Sequence, residues 1–118
     1  LSRAWIQKPL VLSTEEVTGG NGSGNAVALS PTATVSLVAT KANATHVSLV
    51  DGVEGQLKVI VHKTRAGSND LVITPANFAN GTTITSNSAN RAIQLLFDGL
   101  NWQVVAGEIT GTAEMVIA

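Results

Sequence analysis

The feature that most constrains the fold is an alternation of apolar and polar side chains every second residue, repeated in short segments. In segment 45–50, Val47 and Leu49 share one face, and His46 and Ser48 share the other. This period of two is typical of a β-strand with one face buried against a core. The 3.6-residue period of an amphipathic helix is nearly absent. The sequence therefore predicts an all-β fold.

Further short segments predict the other strands, with turn signals rich in Gly, Asp and Asn between them. They are 10–18, 33–40, 56–63, 71–74, 82–85, 91–97 and 101–106, while 108–118 gives one more strand or a tail that pairs with a neighbouring molecule. A chain of 118 residues is one domain with its own core. Short, uneven strands favour a β-sandwich or jelly-roll-like body over a barrel. We find no fixed repeat that would indicate a solenoid.

The alternation also predicts which side chains face the core. Segment 33–40 places Val35, Leu37 and Ala39 on one face. In segment 56–63, Leu57, Val59 and Val61 alternate with Lys58, Ile60 and His62. We expect Leu57 and Val59 to lie in the core, and both His46 and His62 to face outward.

Two turn-containing segments are more specific. Asp98-Gly99 lies between alternating segments 91–97 and 101–106, which is a strong signal for a β-hairpin. Phe97 and Trp102 flank this turn on the inward face, and we expect them to anchor the core. Segment 64–70 is interpreted as a second hairpin loop, in which Gly67 supplies a positive φ.

The first nine residues have no clear period and end in Pro9. We therefore divide the chain into an N-terminal extended arm, 1–9, and a β-sandwich domain, 10–118. Trp5 and Ile6 need an apolar surface to cover them, and buried aromatic side chains dominate the energetics of interfaces. Trp5, Ile6, Pro9 and Leu10 are the predicted partner-binding residues.

The composition is poor in charge. Charged residues make up 13% of the chain, about half the roughly 25% of an ordinary soluble domain. Such a surface suggests contacts with partner subunits; the alternative is a Thr-, Ser- and Asn-rich protein that stays soluble through neutral polar groups. The net charge of −1 argues against a nucleic-acid partner. No apolar run approaches the roughly 18 residues that span a bilayer, so no membrane partner is expected.

No motif indicates an enzyme. The chain has no Cys, which excludes disulfides, thiolate metal sites and a cysteine nucleophile. The Gly-x-Ser-x-Gly elbow, the Gly-Lys-Ser/Thr phosphate loop and the Asp-rich calcium loop are all missing. Most acidic residues at turns have a structural explanation, because Asp bonds the local backbone there. We predict no catalytic residue, no cofactor and no metal.

About half of the chain resembles a module found in structural proteins of tailed bacteriophages, notably marine and cyanobacterial phages. The resemblance lies in DGVEGQLK (51–58), ITP (73–75), NGTTIT (80–85) and LFDGLNWQVV (96–105). It implies a virion structural role and usually a homotrimer. The small size favours a capsid decoration (cement) protein on the capsid exterior, which binds and stabilises the lattice of the major capsid protein. The alternative is a tail-fibre or spike domain that contacts host glycans through loops such as 19–25 or 64–70.

Overall fold

The computed structural model describes residues 10–41, 44–67, 69–107 and 115–118, and these form two β-sheets packed face to face. Sheet A has the order β1-β4-β6-β9-β10, and sheet B has the order β11-β8-β7-β5-β2, with β3 also paired to β5. The strands are β1 Thr14–Thr18, β2 Gly20–Asn21, β3 Val27–Ala28, β4 Val35–Ala39, β5 Thr45–Leu49, β6 Leu57–Thr64, β7 Leu71–Pro75, β8 Ile84–Ser86, β9 Arg91–Phe97, β10 Trp102–Gly107 and β11 Met115–Ile117. The predicted all-β, single-domain sandwich is confirmed.

Apart from β2, which pairs antiparallel with β5, the first seven strands wind as a coil that alternates between the two sheets. Strands β1, β4 and β6 pair in parallel in sheet A, and β3, β5 and β7 pair in parallel in sheet B. The aligned positions are Thr14, Val35 and Val59 in sheet A, and Val27, Val47 and Ile73 in sheet B. These positions are 21 and 24 residues apart in one sheet and 20 and 26 in the other. Because the turns of the coil differ in length, the sequence has no fixed period.

The remaining strands close both sheets in antiparallel fashion. Strands β9 and β10 form a hairpin that pairs with β6, while β8 and β11 complete sheet B beside β7. The predicted hairpin at 64–70 is wrong. That loop carries the chain from β6 in sheet A to β7 in sheet B, although Gly67 has the expected positive φ of 59°. A Gly-containing turn signal indicates that the chain reverses, but it does not indicate which sheet the next strand joins.

Side chains from both sheets meet in one core. Its fully or almost fully buried members are Leu29, Val38, Val47, Leu49, Ile60, Leu71, Ile73, Ile84, Ile93, Leu95, Phe97, Trp102 and Met115. Phe97 and Trp102 are core residues as predicted, and their rings meet edge to face with centroids 5.2 Å apart. The indole Nε1–H of Trp102 donates to the carbonyl of Val50 at 3.1 Å, so the buried ring has its polar group satisfied.

The Asp98-Gly99 turn joins β9 to β10 as predicted. Gly99 has φ 100°, a conformation that glycine adopts readily. The carboxylate of Asp98 accepts hydrogen bonds from the backbone N–H groups of Leu100 and Asn101, at 2.8 and 2.7 Å. The bond from Asn101, then that from the side-chain amide of Gln103 at 2.9 Å and that from Leu100, hold the pKa of Asp98 below its usual value. Asp98 and Gly99 therefore have turn-forming roles.

The predicted core faces of β4 and β6 are wrong. Lys58, Ile60 and His62 are fully buried, whereas Leu57 is 36% exposed and Val59 is half-buried. Strand β4 follows the same parity: Ser36 and Val38 are buried, and Val35, Leu37 and Ala39 are half-buried. The alternation favoured the more apolar face as the inner one. The structure buries the other face because its polar side chains have internal partners.

The predicted arm, with Trp5, Ile6 and Pro9, lies outside the described residues. Leu10 is the first described residue, and its side chain is 87% exposed. In the part of the chain that is described, no helix has the length and apolar character needed to cross a membrane.

Candidate interaction surfaces

Most of the exposed large apolar side chains lie at one end of the sandwich. Strands β1, β4 and β6 run parallel, so residues 10–13 before β1 and loop 50–56 before β6 lie at the same end. Strand β9 runs antiparallel to β6, which brings turn 98–101 to that end as well. We call this surface the apolar end. Its exposed side chains are Leu10, Val11, Leu12, Val50, Val53, Leu57 and Leu100.

Hydrogen bonds join the segments of the apolar end into one surface. The N–H of Gly55 donates to the carbonyl of Phe97 at 2.7 Å, which fixes loop 50–56 beside turn 98–101. The side-chain amide of Gln56 donates to the carbonyl of Pro31 at 2.9 Å. On this hydrogen-bonded backbone, the side chains of Val53 and Leu100 are 72% and 77% exposed. Exposed apolar side chains grouped on one surface are typical of an interaction site.

A buried ionic network supports the apolar end from inside. The Nζ of Lys58 donates to the carbonyls of Ser30 and Ala33 at 2.9 and 2.7 Å, and lies 3.7 Å from a carboxylate oxygen of Glu15. The same Glu15 oxygen accepts from the N–H of Ser30 at 2.8 Å and from the hydroxyl of Ser36 at 2.6 Å. Burial lowers the pKa of Lys58, and the charge of Glu15 opposes that shift. The network ties β1, β4, β6 and the connection before β4 together.

The outward side of sheet A is a second apolar surface, which we call the outer face of sheet A. Its apolar side chains are Val35, Leu37 and Ala39 of β4, Leu57, Val59 and Val61 of β6, and Ala92 and Leu96 of β9. The polar side chains on the same side lie mainly on the outer strands: Thr14, Glu16 and Thr18 of β1, Lys63 of β6, Gln94 of β9 and Gln103 of β10. The corresponding side of sheet B is more polar. It carries His46, Ser48, Val72, Thr74, Thr85 and Val116. The apolar part of the outer face of sheet A therefore lies mainly on β4 and β6.

The opposite end of the sandwich is polar. Loops 19–25 and 64–70 lie there, and the Arg65 guanidinium contacts the Asp70 carboxylate at 3.1 Å. Gly20 needs to be glycine, because a Cβ at that position would lie 1.6 Å from the carbonyl oxygen of Asn25. These are the loops that the tail-fibre alternative would use.

The expectation that both histidines face outward is wrong for His62 and correct for His46. His62 Nδ1 lies 2.7 Å from the hydroxyl of Ser86, and both side chains are fully buried between the sheets. The Ser86 hydroxyl donates to the carbonyl of Ser88 at 3.1 Å, so His62 Nδ1–H is the donor to Ser86. His62 Nε2 is buried and lacks a hydrogen-bond partner among the described residues. The sequence missed this pair because 24 residues separate its members.

We expect the protein to lose stability as the pH falls below about 6.5. Burial, with a contribution from the Arg65 charge, lowers the pKa of His62 from 6.5, while Asp70 and the Ser88 carbonyl oppose the shift more weakly. Below pH 6.5, His62 therefore binds a proton in the unfolded chain but not in the folded chain. As the pH falls, the unfolding free energy decreases by up to about 1.4 kcal/mol per pH unit until the pKa of His62 in the folded chain is reached. Thermal melts between pH 8 and 5.5 measure this slope.

The control for this pH dependence is the second histidine. His62→Gln should flatten the slope in this pH range, whereas His46→Gln, on the outward side of sheet B, should leave it unchanged. An equal slope in the wild type and in His62→Gln would contradict the assignment to His62.

One acidic side chain at a turn has a partner that is distant in sequence. The Asp51 carboxylate accepts from the amide of Asn77 at 3.0 and 2.8 Å, next to the apolar end. Over residues 10–41, 44–67, 69–107 and 115–118, no three His, Asp or Glu side chains come together as a metal site would require.

Comparisons with protein-family models, curated proteins and solved structures found no match to this chain.

Proposed function

We propose that this protein is a structural subunit of a phage virion, a capsid decoration protein that binds the lattice of the major capsid protein on the capsid exterior. The observation that carries the proposal is the apolar end, where Val53 and Leu100 stand exposed on a fixed backbone. The resemblance of segments 51–58 and 96–105 to phage structural modules supplies the phage assignment. Both segments contribute residues to the apolar end.

The arrangement suits a subunit that docks by one end. Side chains that are 72% to 87% exposed, such as Leu10, Val11, Val53 and Leu100, have most of their apolar area still to bury. Burying apolar area is worth roughly 25 cal/mol per Å², so a few such side chains stabilise a modest contact. The segment 1–9, with Trp5 and Ile6, is covalently attached at this end through Leu10. Symmetry repeats these contacts over a capsid, which raises the total binding strength.

The first test is the copy number of the protein in purified virions, measured by mass spectrometry against the major capsid protein. A decoration role requires a number comparable with that of the major capsid protein. A copy number far below it would contradict this role and favour the tail-fibre or spike alternative, with glycan contacts at the polar end. Absence from virions would contradict both.

The second test examines the apolar end directly, by binding of variants to capsids that lack the protein. We expect Val53→Asp to weaken binding at least about tenfold, because a buried, unpaired charge in an interface costs at least about 1.4 kcal/mol. Val105→Asp is the matched control: Val105 is also an exposed valine, 51% exposed, on strand β10 and outside the apolar end. Deletion of residues 1–9 should leave a folded body that no longer binds. Equal binding by the wild type and Val53→Asp would overturn the assignment of the docking end.

A further inference from the structure

On strands β4 and β6, the outer face of sheet A is more apolar than the side that faces the core. In β6 the outward residues are Leu57, Val59 and Val61, while the inward ones are Lys58, Ile60 and His62. In β4 the outward residues are Val35, Leu37 and Ala39, while Ser36 is buried. A sheet that faces water on one side normally alternates in the opposite sense. Three polar side chains, Ser36, Lys58 and His62, are buried while the apolar rows of β4 and β6 face outward.

We infer that the outer face of sheet A packs against the same face of a second copy of this chain. The inference goes beyond the proposed function and does not depend on it, since it concerns the isolated protein.

The charges on this face allow it to meet itself. Its charged groups among the described residues are Glu16 of β1 and Lys63 of β6, which pair with each other at 2.8 Å. Each copy therefore brings a neutral surface, and two identical faces carry no unmatched like charge to each other. A partner of opposite charge would call for a charged surface instead.

The size and shape of the face also fit a second copy. Five strands about 4.8 Å apart, the longest at about 3.3 Å per residue, give a face of roughly 500 Å² in projection. The side chains that stand up from it add accessible area, so two such faces bury about 1,200 Å², near the lower end of specific interfaces. Valine- and leucine-bearing sheets pack on one another in aligned sandwiches, about 10 Å apart, as sheets A and B already do within the chain.

The experiment is sedimentation equilibrium of the purified protein from about 1 µM to about 1 mM, the range expected for an interface of this size. We expect masses that rise with concentration from the 12.1 kDa of one chain towards twice that value. Masses that approach three chains would fit the homotrimer that the resemblance implies and would contradict a pair. Val61→Glu places a charge between Leu37 and Ala92 at the centre of the face, and should raise the dissociation constant at least about 30-fold.

The matched control is Val72→Glu. Val72 is also a half-buried valine on the outward side of an inner strand, but it lies in sheet B, between His46 and Thr85. This variant should associate like the wild type. The inference would be overturned if the wild type stays a single chain at every concentration. It would also be overturned if Val61→Glu and Val72→Glu have the same dissociation constant. If the wild type stays a single chain, the outer face of sheet A would have to bind a different protein.

A second measurement covers the case in which Val61→Glu does not fold, as judged by circular dichroism. The chain has no Cys, so Val59→Cys introduces a single thiol on the outer face of sheet A, and Val72→Cys does the same on sheet B. A short bismaleimide joins two thiols by addition of each to one maleimide double bond. We expect linked pairs from Val59→Cys and single chains from Val72→Cys. The same yield of linked pairs from both variants would count against the face.

Discussion

Trp102→Ala is expected to lower the unfolding free energy by about 3–5 kcal/mol, because it removes the largest buried side chain from the core. The substitution removes the contact with the Phe97 ring at 5.2 Å. It also leaves the carbonyl of Val50 without the indole donor, which lies 3.1 Å away. Trp102 begins β10 of sheet A, and Val50 directly follows β5 of sheet B. The loss therefore acts on both sheets.

Urea denaturation followed by circular dichroism measures this effect, since the variant lacks the buried tryptophan whose fluorescence would report unfolding and keeps only Trp5. Trp102→Phe keeps a ring but not the Nε1–H donor, and should fall between the wild type and Trp102→Ala. Val105→Ala, on the same strand and 51% exposed, should stay within about 0.5 kcal/mol of the wild type. A loss below about 1 kcal/mol for Trp102→Ala would show that the core tolerates the cavity by collapsing.

Lys58→Ala is expected to be comparably severe, at about 3–5 kcal/mol, because it breaks a buried ion pair by removing one partner. The carbonyls of Ser30 and Ala33 lose their donor, and the part-buried carboxylate of Glu15 loses its cation. Lys58→Met keeps the apolar stem and removes only the ammonium group. Comparing it with Lys58→Ala therefore separates the contribution of the stem from that of the ammonium group.

Lys63→Ala is the control for the lysine charge. Lys63 also lies on β6 and pairs with a glutamate, but that pair is exposed to water, and exposed pairs contribute little to stability. We expect its denaturation midpoint to match that of the wild type. If Lys58→Ala unfolds at the same urea concentration as Lys63→Ala, the buried network does not stabilise the fold.

The fold class was predictable because the strands near the turns have strong local patterns. In β5 the contrast between His46 and Ser48 on one face and Val47 and Leu49 on the other sets the orientation without outside information. The same holds for Phe97 and Trp102, which flank an Asp-Gly turn.

Strand β6 was predicted the wrong way round because the partners of its buried polar side chains are distant in sequence. Lys58 is satisfied by residues 25 and 28 positions away, and His62 by Ser86, 24 positions away. A local alternation cannot contain these contacts. Once the Lys58 ammonium group and His62 Nδ1 are hydrogen-bonded inside, strand β6 is free to turn its more apolar row outward.

The apolar end was only partly predictable. Leu10 was identified from the segment that it follows, but Val53 and Leu100 come from two separate turns. Their proximity depends on the antiparallel pairing of β6 with β9, in which Leu57 lies opposite Leu96. The arm residues Trp5, Ile6 and Pro9 stay a prediction.

The winding of the first strands has a consequence for synthesis of the chain. In sheet A, β1, β4 and β6 are neighbours in the order in which a ribosome would release them. Strand β4 can therefore pair with β1, and β6 with β4, as soon as each is released. The free side of β6 is closed only by β9, which starts 27 residues after β6 ends. A nascent chain that stops in this interval presents an unpaired strand edge to other molecules, the kind of edge that favours aggregation.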